Sequence, residues 1–447
     1  MSELVVAKAG GTSNRDAAAV RQSLEWAEQA DIFVASAPGA LDEVGQAALK
    51  ITDLLLEAHC FYQNHGSVPS EITDAITGRY AEIASGVGAN QLPLGWIDNI
   101  AKRVVNAVHP SKSDTASMLG ERLQAEIYES LGFTMLDPAQ AQFDLGNDPD
   151  LWRGWLESAF KAGKKYILPG NTTLINGQLV TFDRGGSDIS GGLAAYAINA
   201  SKYLNLTDGP ALSADPRLFS GEEQKRLRQI PHILYQEARE LGRNGTGLVH
   251  AAALVAPMRG NIPTEIRSTF DALLPVTVID NNHHNALERS GQIIAVSLME
   301  DVVVVNVHES GMAESVGRLA AFESALASSQ IAVIDSQGDG VDGQKYFIDA
   351  AAAEQAYQIL KSSSPLGAVS LKQDVSLITL VGYNAEHNLP DNIRDIAHSS
   401  GGDGKLWQTE GHDFSSSKHS LRISVDADKA RTLLQQIHRH FIEQDRQ

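Results

Sequence analysis

The sequence predicts an α/β protein in which a mostly parallel sheet is sandwiched by helices and followed by two ferredoxin-like α+β modules. Three observations lead there. Short apolar runs alternate with stretches of helical period through residues 1–284, the pattern of βαβ units whose helices cover both faces of a parallel sheet. Asn281, Asn282 and Gly291 then break the pattern between Thr277 and Gln292, as turn residues do at a boundary. Beyond it, two similar β-α-β-β-α units of roughly 70 residues follow one another, a supersecondary module that pairs through sheet edges or helical faces. The expected domains are therefore 1–284, 285–370 and 371–447.

The elements follow in order. Leu4 to Ala9 is an apolar strand ended by glycines, and Asn14 is placed to cap a helix carrying Ala18, Leu24 and Ala27. Ile32 to Ser36 is the second strand, closed by Ala37-Pro38-Gly39. Gln46 to Pro110 is mainly helical, with loops at Gly66-Ser67-Val68-Pro69 and Gly86-Val87-Gly88. Met118, Leu123, Ile127 and Leu131 mark a helix, Thr134 to Leu136 a strand, Trp152 to Ala162 a helix and Lys165 to Leu168 a strand. In the first module, Asp301 to Val307 is a β-branched strand and Ser315 to Ser328 a helix with Val316, Leu319, Phe322 and Leu326 inward. Strands at Ile331 to Ile334 and Lys345 to Ile348 and a helix at Ala350 to Lys361 complete it. The second repeats the plan with Val375 to Val381, a helix near Asp391 to Ala397, strands near Lys405 to Gln408 and Leu421 to Val425, and a helix from Ala427 to Ile442.

Composition narrows the function. Thirty-six basic residues against fifty-five acidic ones leave a formal charge of −19, and no Lys/Arg block is available to track a phosphate backbone, so nucleic acid is not an expected partner. No uninterrupted apolar run approaches the length of a membrane span. The single Cys60 cannot form an internal disulfide, which suits a reducing, cytosolic location, and it reads as a packed thiol on a helix. His283-His284 has no nearby cysteine or carboxylate cluster, and His438 and His440 face different sides of a terminal helix. No metal site is expected from either pair.

Two segments carry chemistry. Thr181 to Ile189 reads T-F-D-R-G-G-S-D-I: Arg184 offers a planar fork for carboxylate or phosphate, the glycines let the backbone approach a ligand, and the following helix presents its N-terminus. A strand-to-helix turn with Arg184 paired to Asp183 or Asp188 is the plainer alternative. The other segment, Lys8-Ala9-Gly10-Gly11-Thr12-Ser13, has its lysine before the glycines, so it is not a Walker loop, but such a turn can still wrap phosphates. Both fall at the carboxyl ends of strands, where ligands of parallel sheets bind.

Taken together, K-A-G-G-T-S at Lys8, L-G-E at Leu119 to Glu121, R-G-G-S-D at Arg184 to Asp188, T-D at Thr207-Asp208 and A-D-P-R at Ala214 to Arg217 have the order and spacing of aspartate kinases. The resemblance continues through Tyr235 to Leu241, Leu248-Val249-His250, Ile262-Pro263 and Ser268 to Phe270, and its tail resembles the paired ACT modules of that family. It implies an amino-acid kinase fold and transfer of the γ-phosphoryl group of ATP, with Mg²⁺ held mainly through the phosphates, to the side-chain carboxylate of L-aspartate. That reaction opens the route to lysine, threonine and methionine. Lys8, Gly10 and Gly11 would hold the β- and γ-phosphates, with Ser13 and Ser36 lining the transfer site. Glu121 would take the substrate's ammonium group and Arg184 a substrate carboxylate, with Ser187 and Asp188 completing the pocket. Thr207, Asp208 and Arg217 would hold the nucleotide. Lys8, Arg184 and Asp188 form the implied catalytic set. An amino-acid effector at the ACT modules and a homodimer or dimer of dimers are the implied partners.

The sequence departs from the family at identifiable places. Ala9 stands where phenylalanine is usual, Leu41 for a threonine, Asn171 for a phenylalanine, Leu212 for a tyrosine near the adenine and Gly247 for a nucleotide-binding lysine. Arg243, four residues before Gly247, could supply the missing positive charge. Asp335 to Gly340 replaces a serine/threonine-rich effector loop. These changes leave open a kinase of another amino-acid carboxylate, or a ligand-sensing paralogue with weak catalysis.

Overall fold

The structure, a computed structural model, describes residues 3–41, 49–109, 114–182, 185–243, 249–312, 314–340, 342–364, 367–384 and 414–443. It divides into two compact units: Met1–Ala211 with Gln229–Arg239 and Leu248–Asn285, and Leu212–Arg228 with Glu240–Gly247 and Ala286–Gln447. Arg184, Asp183, Gly247, the expected helix near 391–397 and the expected strand near 405–408 lie outside the described residues.

The first unit is built on eight strands in the order β3-β4-β2-β1-β7-β9-β10-β8. These are β1 (Val5–Ala9), β2 (Ile32–Ala35), β3 (Thr134–Met135), β4 (Tyr166–Pro169), β7 (Lys202–Thr207), β8 (His232–Leu234), β9 (Thr264–Ser268) and β10 (Thr277–Asp280). A small hairpin of β5 (Thr173–Ile175) and β6 (Gln178–Val180) stands apart from that sheet. From β3 to β9 the pairing is parallel, and β10 runs against β9. Both faces are covered, which is why the strands read as near-continuous apolar runs rather than alternating ones. On one face Ala7, Phe33, Ala35, Ile167 and Leu206 join a core with residues of α1 (Ala17–Ala27), α2 (Ile51–His65), α3 (Ser70–Val87), α4 (Ile100–Val108) and α5 (Asp114–Ser130). The alternate residues Val6, Ile32, Val34, Leu168 and Tyr203 are also buried. On that side α7 (Gly186–Ala197) packs against β1, β2 and β7, with α6 (Pro149–Ala159) and α9 (Val255–Gly260) packed on α7.

Two local expectations are corrected here. Asn14 is not a helix cap. Residues Thr12–Asn14 form a 3₁₀ turn, and α1 is capped by Asp16, whose carboxylate accepts the Ala19 N–H at 2.8 Å; a capping oxygen must sit two or three residues before its donor, and Asn14 is drawn inward by better partners. Cys60 lies on α2 as expected but faces outward, because the apolar stripe of that helix runs through Leu54, Leu55 and Ala58.

The second unit carries six antiparallel strands in the order β12-β13-β11-β14-β16-β15. They are β11 (Ala295–His308), β12 (Val333–Gly338), β13 (Gly343–Asp349), β14 (Ala368–Val381), β15 (Phe414–Ser417) and β16 (Ser420–Asp426). β11 and β14 pair along most of their length, with register shifts between Met299 and Val304. One apolar centre gathers Val305, Val307, Tyr346 and Ile348 with Phe322 and Leu326 of α11 (Arg318–Ser328) and Ala356 and Leu360 of α12 (Ala353–Ser363). Val316 and Leu319, expected inward, are exposed: the helix starts only at Arg318, after Gly317 in the left-handed region, so Val316 belongs to the preceding turn. Another centre joins Ile378, Leu380, Ile423 and Val425 to Leu433, Leu434 and Ile437 of α13 (Ala427–His438), and to Ala214 and Phe219. The A-D-P-R segment thus belongs to this unit. Burying a side chain such as Phe219 or Leu434 contributes about 1.5–3 kcal/mol, enough to fix the segment there.

Candidate active site

The site forms where strands of the parallel sheet end. Alternation along β1 turns Ala7 and Ala9 toward α1–α5, so Lys8 points to the α7 face. There it is buried, and its Nζ lies 2.6 Å from Asp188 Oδ1 in the first turn of α7. Asn205 stands opposite Lys8 in the parallel register of β1 and β7, and its Nδ2 donates to the same Asp188 oxygen at 3.2 Å. A buried ammonium needs a paired, hydrogen-bonded partner, and these three side chains provide the arrangement.

The loops after β1 and β2 touch backbone to backbone. Gly39 N–H donates to Gly11 O at 2.8 Å, and Ser36 N–H to Ala9 O at 3.3 Å. A Cβ on Gly39 would lie 2.6 Å from the Gly11 carbonyl carbon and 2.8 Å from Thr12 N, so only glycine admits this approach. Ser36 Oγ donates to Ser187 Oγ at 2.7 Å, joining the β2 loop to the start of α7. Gly185, with φ of 67°, is the residue ahead of that helix, and the left-handed turn there suits glycine. A twelve-residue helix follows, with the positive end of its dipole at this site.

Glu121 projects from α5 and is almost wholly buried. Its carboxylate accepts the Ala37 N–H. Burial pushes its pKa up to about 8, against the opposing pull of that N–H and of Lys8. Glu121 does not pair with its neighbour Arg122, which bonds Glu126 and Asp137 instead. A carboxyl held on a loop N–H with a lysine in its field offers the opposite charges that a small polar zwitterion would need.

The other sequence-predicted residues are placed as follows. Ser13 is fully buried, with its hydroxyl 2.6 Å from Thr269 Oγ1. Thr207 ends β7 and its carbonyl accepts Thr269 N–H at 2.8 Å, while Asp208 beside it is exposed and its carbonyl accepts from Ser268 Oγ at 3.2 Å. Arg217 lies in the second unit, exposed, bracing its own turn through Asp215 at 2.6 Å. Arg243 is exposed at the end of α8 (Tyr235–Arg243). Asn171 follows β4 with φ of 53°, and its Oδ1 is packed so close to Gly186 that a Cβ there would lie 1.6 Å away. Asn205 escaped the sequence reading, and Gly39 was expected only as the turn that closes β2, not in contact with Gly11. A lone asparagine inside the apolar strand Tyr203-Leu204-Asn205-Leu206 was the available signal for the first, since an unpaired amide is costly in a buried strand.

The amino acid kinase family model matches residues 3–268. Aspartokinase 3 of Bacillus subtilis is 24% identical over 379 residues, spanning 77% of this chain and 79% of that protein. Lysine-sensitive aspartokinase 3 of Escherichia coli is 25% identical over 293 residues, 60% of this chain and 58% of its own length. Among solved structures, E. coli aspartokinase III in complex with aspartate and ADP superposes with a TM-score of 0.76 at 22% identity, covering 98% of this chain and 99% of that one. At that identity the likeness is one of fold. No helix among the described residues is long and apolar enough to cross a membrane.

Proposed function

The chain belongs to the amino acid kinase family, and on that footing we propose that it transfers the γ-phosphoryl group of ATP to the side-chain carboxylate of L-aspartate, giving 4-phospho-L-aspartate and ADP. The observation that carries this reading is the buried Lys8–Asp188 pair, at 2.6 Å, at the sheet end where the Gly10-Gly11 turn and the α7 N-terminus meet. Aspartokinase relatives support the choice of acid.

The two reactants are anions that repel, so the protein's part is positioning and charge cancellation rather than covalent catalysis. Lys8 exchanges part of its contact with Asp188 for the γ-phosphate. The Gly10-Gly11 turn wraps the phosphates with backbone N–H groups. Glu121, ionised, takes the aspartate ammonium, and Arg184 takes a carboxylate. A side-chain carboxylate oxygen of aspartate then bonds to the γ-phosphorus as the bond from that phosphorus to the β–γ bridging oxygen breaks. Mg²⁺ arriving with the nucleotide supplies further neutralisation of the phosphate oxygens. Asp188 and Asp208, both carboxylates at strand or helix ends, fit its preference for oxygen ligands. In this reading the second unit carries an amino-acid effector site and the contacts between copies, as a homodimer or dimer of dimers.

The test is a hydroxylamine trap: purified protein with Mg·ATP, and aspartate, glutamate and analogues as acceptors. Hydroxamate from aspartate, abolished by Lys8→Ala, is the expected result. Hydroxamate from another acid alone would reassign the substrate, and none from any acid would refute catalysis. Asn171, where the family carries phenylalanine, is the observation that favours including other acids.

A further inference from the structure

Asn14 is fully buried and caps no helix, since Asp16 takes that role for α1. Its Nδ2 donates to two consecutive carbonyls of the phosphate turn, Ala9 O at 3.2 Å and Gly10 O at 3.1 Å. Its Oδ1 accepts from Tyr128 Oη at 3.1 Å and lies 3.5 Å from Gln124 Nε2. Tyr128 and Gln124 are themselves fully buried on α5, where spacings of three and four put Glu121, Gln124 and Tyr128 on one face. A single helical face therefore holds both loops of the site: Glu121 binds the loop after β2 through Ala37 N–H, and Tyr128 with Gln124 holds the loop after β1 through Asn14.

The geometry points to Asn14 as a positioning residue for phosphoryl transfer, an amide strut that sets the Lys8–Gly11 turn and ties it to the helix carrying Glu121. This rests on the kinase reading given above. The physical step is simple. In a trans peptide the C=O and N–H point in opposite directions. With Gly10 O drawn inward onto Asn14, the N–H of Gly11 is turned outward, and among the described residues no acceptor takes it. With Ala9 O held in the same way, Gly10 N–H is directed to Leu206 O at 3.3 Å, leaving the turn anchored on β7. The Gly11 donor is thus oriented before any phosphate arrives, and such preorganisation lowers the cost of binding. An apolar side chain of similar size would fill the space but leave Gly10 O free to swing and Ala9 O held by the Ser36 N–H alone.

The test compares Asn14→Ala, Asn14→Asp and Tyr128→Phe with the unaltered protein. Calorimetric titration with Mg·ADP reads the nucleotide side without turnover, and the aspartate KM at saturating ATP reads the acceptor side. Asn14→Ala and Asn14→Asp are expected to weaken Mg·ADP about tenfold or more, as loss of an orienting contact does, with the aspartate KM moving less than about twofold. Tyr128→Phe, which deletes one oxygen, should move the same way by a smaller factor and carries the test if the Asn14 variants do not fold. Unchanged Mg·ADP affinity in folded variants, or equal losses on both sides, overturns the positioning role. If the unaltered protein makes no hydroxamate yet loses Mg·ADP affinity on Asn14→Ala, the aspartate reading fails and the strut stands. If it binds no Mg·ADP, both fall.

Discussion

Glu121 offers a quantitative test of the site. Its carboxyl is buried and pushed up to about 8, chiefly by burial, yet in the proposed reaction it must be ionised to take an ammonium group. At pH 7 the free protein then holds it roughly nine-tenths protonated, and binding aspartate must release that proton. The aspartate KM should scale with one plus the ratio of proton concentration to the dissociation constant, which amounts to a fall of about 25-fold between pH 6.5 and pH 8.5. Steady-state ADP release at saturating Mg·ATP across that range measures it. Glu121→Gln should flatten the profile and raise KM at pH 8.5 by about 30-fold or more, the cost of losing a buried charge-assisted contact. A flat profile in the unaltered protein, or an unchanged one in Glu121→Gln, would refute the assignment. The linkage to stability has a definite sign: the folded pKa is raised above the ordinary carboxyl value of 4.5, so the folded state holds the proton more tightly and stability falls as pH rises from about 4.5 towards 8. Glu121→Gln should remove that loss, and the unliganded variant should melt higher than its parent at alkaline pH.

Two further outcomes follow from contacts. Gly39→Ala should destabilise the first unit by about 1–3 kcal/mol, because its Cβ would meet the Gly11 backbone at 2.6 Å; a lowered melting temperature with a raised ATP KM is expected, and an unaltered KM would argue against loop contact as a determinant. In the second unit His438 is buried, with Nε2 2.8 Å from Ser213 Oγ. Glu443 Oε1 is 3.4 Å from Nδ1 but out of hydrogen-bond alignment. Burial lowers the His438 pKa, opposed by Glu443 and aided by Arg228. Stability is therefore full above the ordinary histidine value of 6.5 and lost as pH falls through the lower folded value, by at most about 1.4 kcal/mol per pH unit. Thermal melts from pH 7.5 to 5 should show this loss, and His438→Gln should remove it; equal acid sensitivity in the variant would assign the loss elsewhere.

How far the sequence could be read depended on distance along the chain. Strand β1 and its glycine turn, strand β2 and the helix bearing Glu121 were legible because apolar period and turn residues act over a few positions. The long pairing of β11 with β14 was less so: two modules were expected, and the sheet they share is decided by register between strands some seventy residues apart. Asn14 shows the limit most clearly. Its neighbours in sequence made it a cap, while its neighbours in space, Tyr128 and Gln124, made it a strut. Cys60 looked like a packed thiol because its helix is apolar, and one step of 100° around that helix left it in solvent.

By itself the sequence determined the kinds of group present and the strand ends that carry them: a lysine before two glycines, a glutamate on a helix and an arginine–glycine turn, ordered as in aspartate kinases. Local rules suffice for that, since side-chain period and turn chemistry are properties of short segments. Only the tertiary structure decided which of them meet. It set Lys8 on Asp188 and Asn205, buried Glu121 enough to move its proton, and packed the A-D-P-R segment with α13. Burial and charge pairing depend on what lies within a few ångströms in space, and for Lys8 and Asp188 the chain between them is about 180 residues long, a separation over which no local pattern carries information.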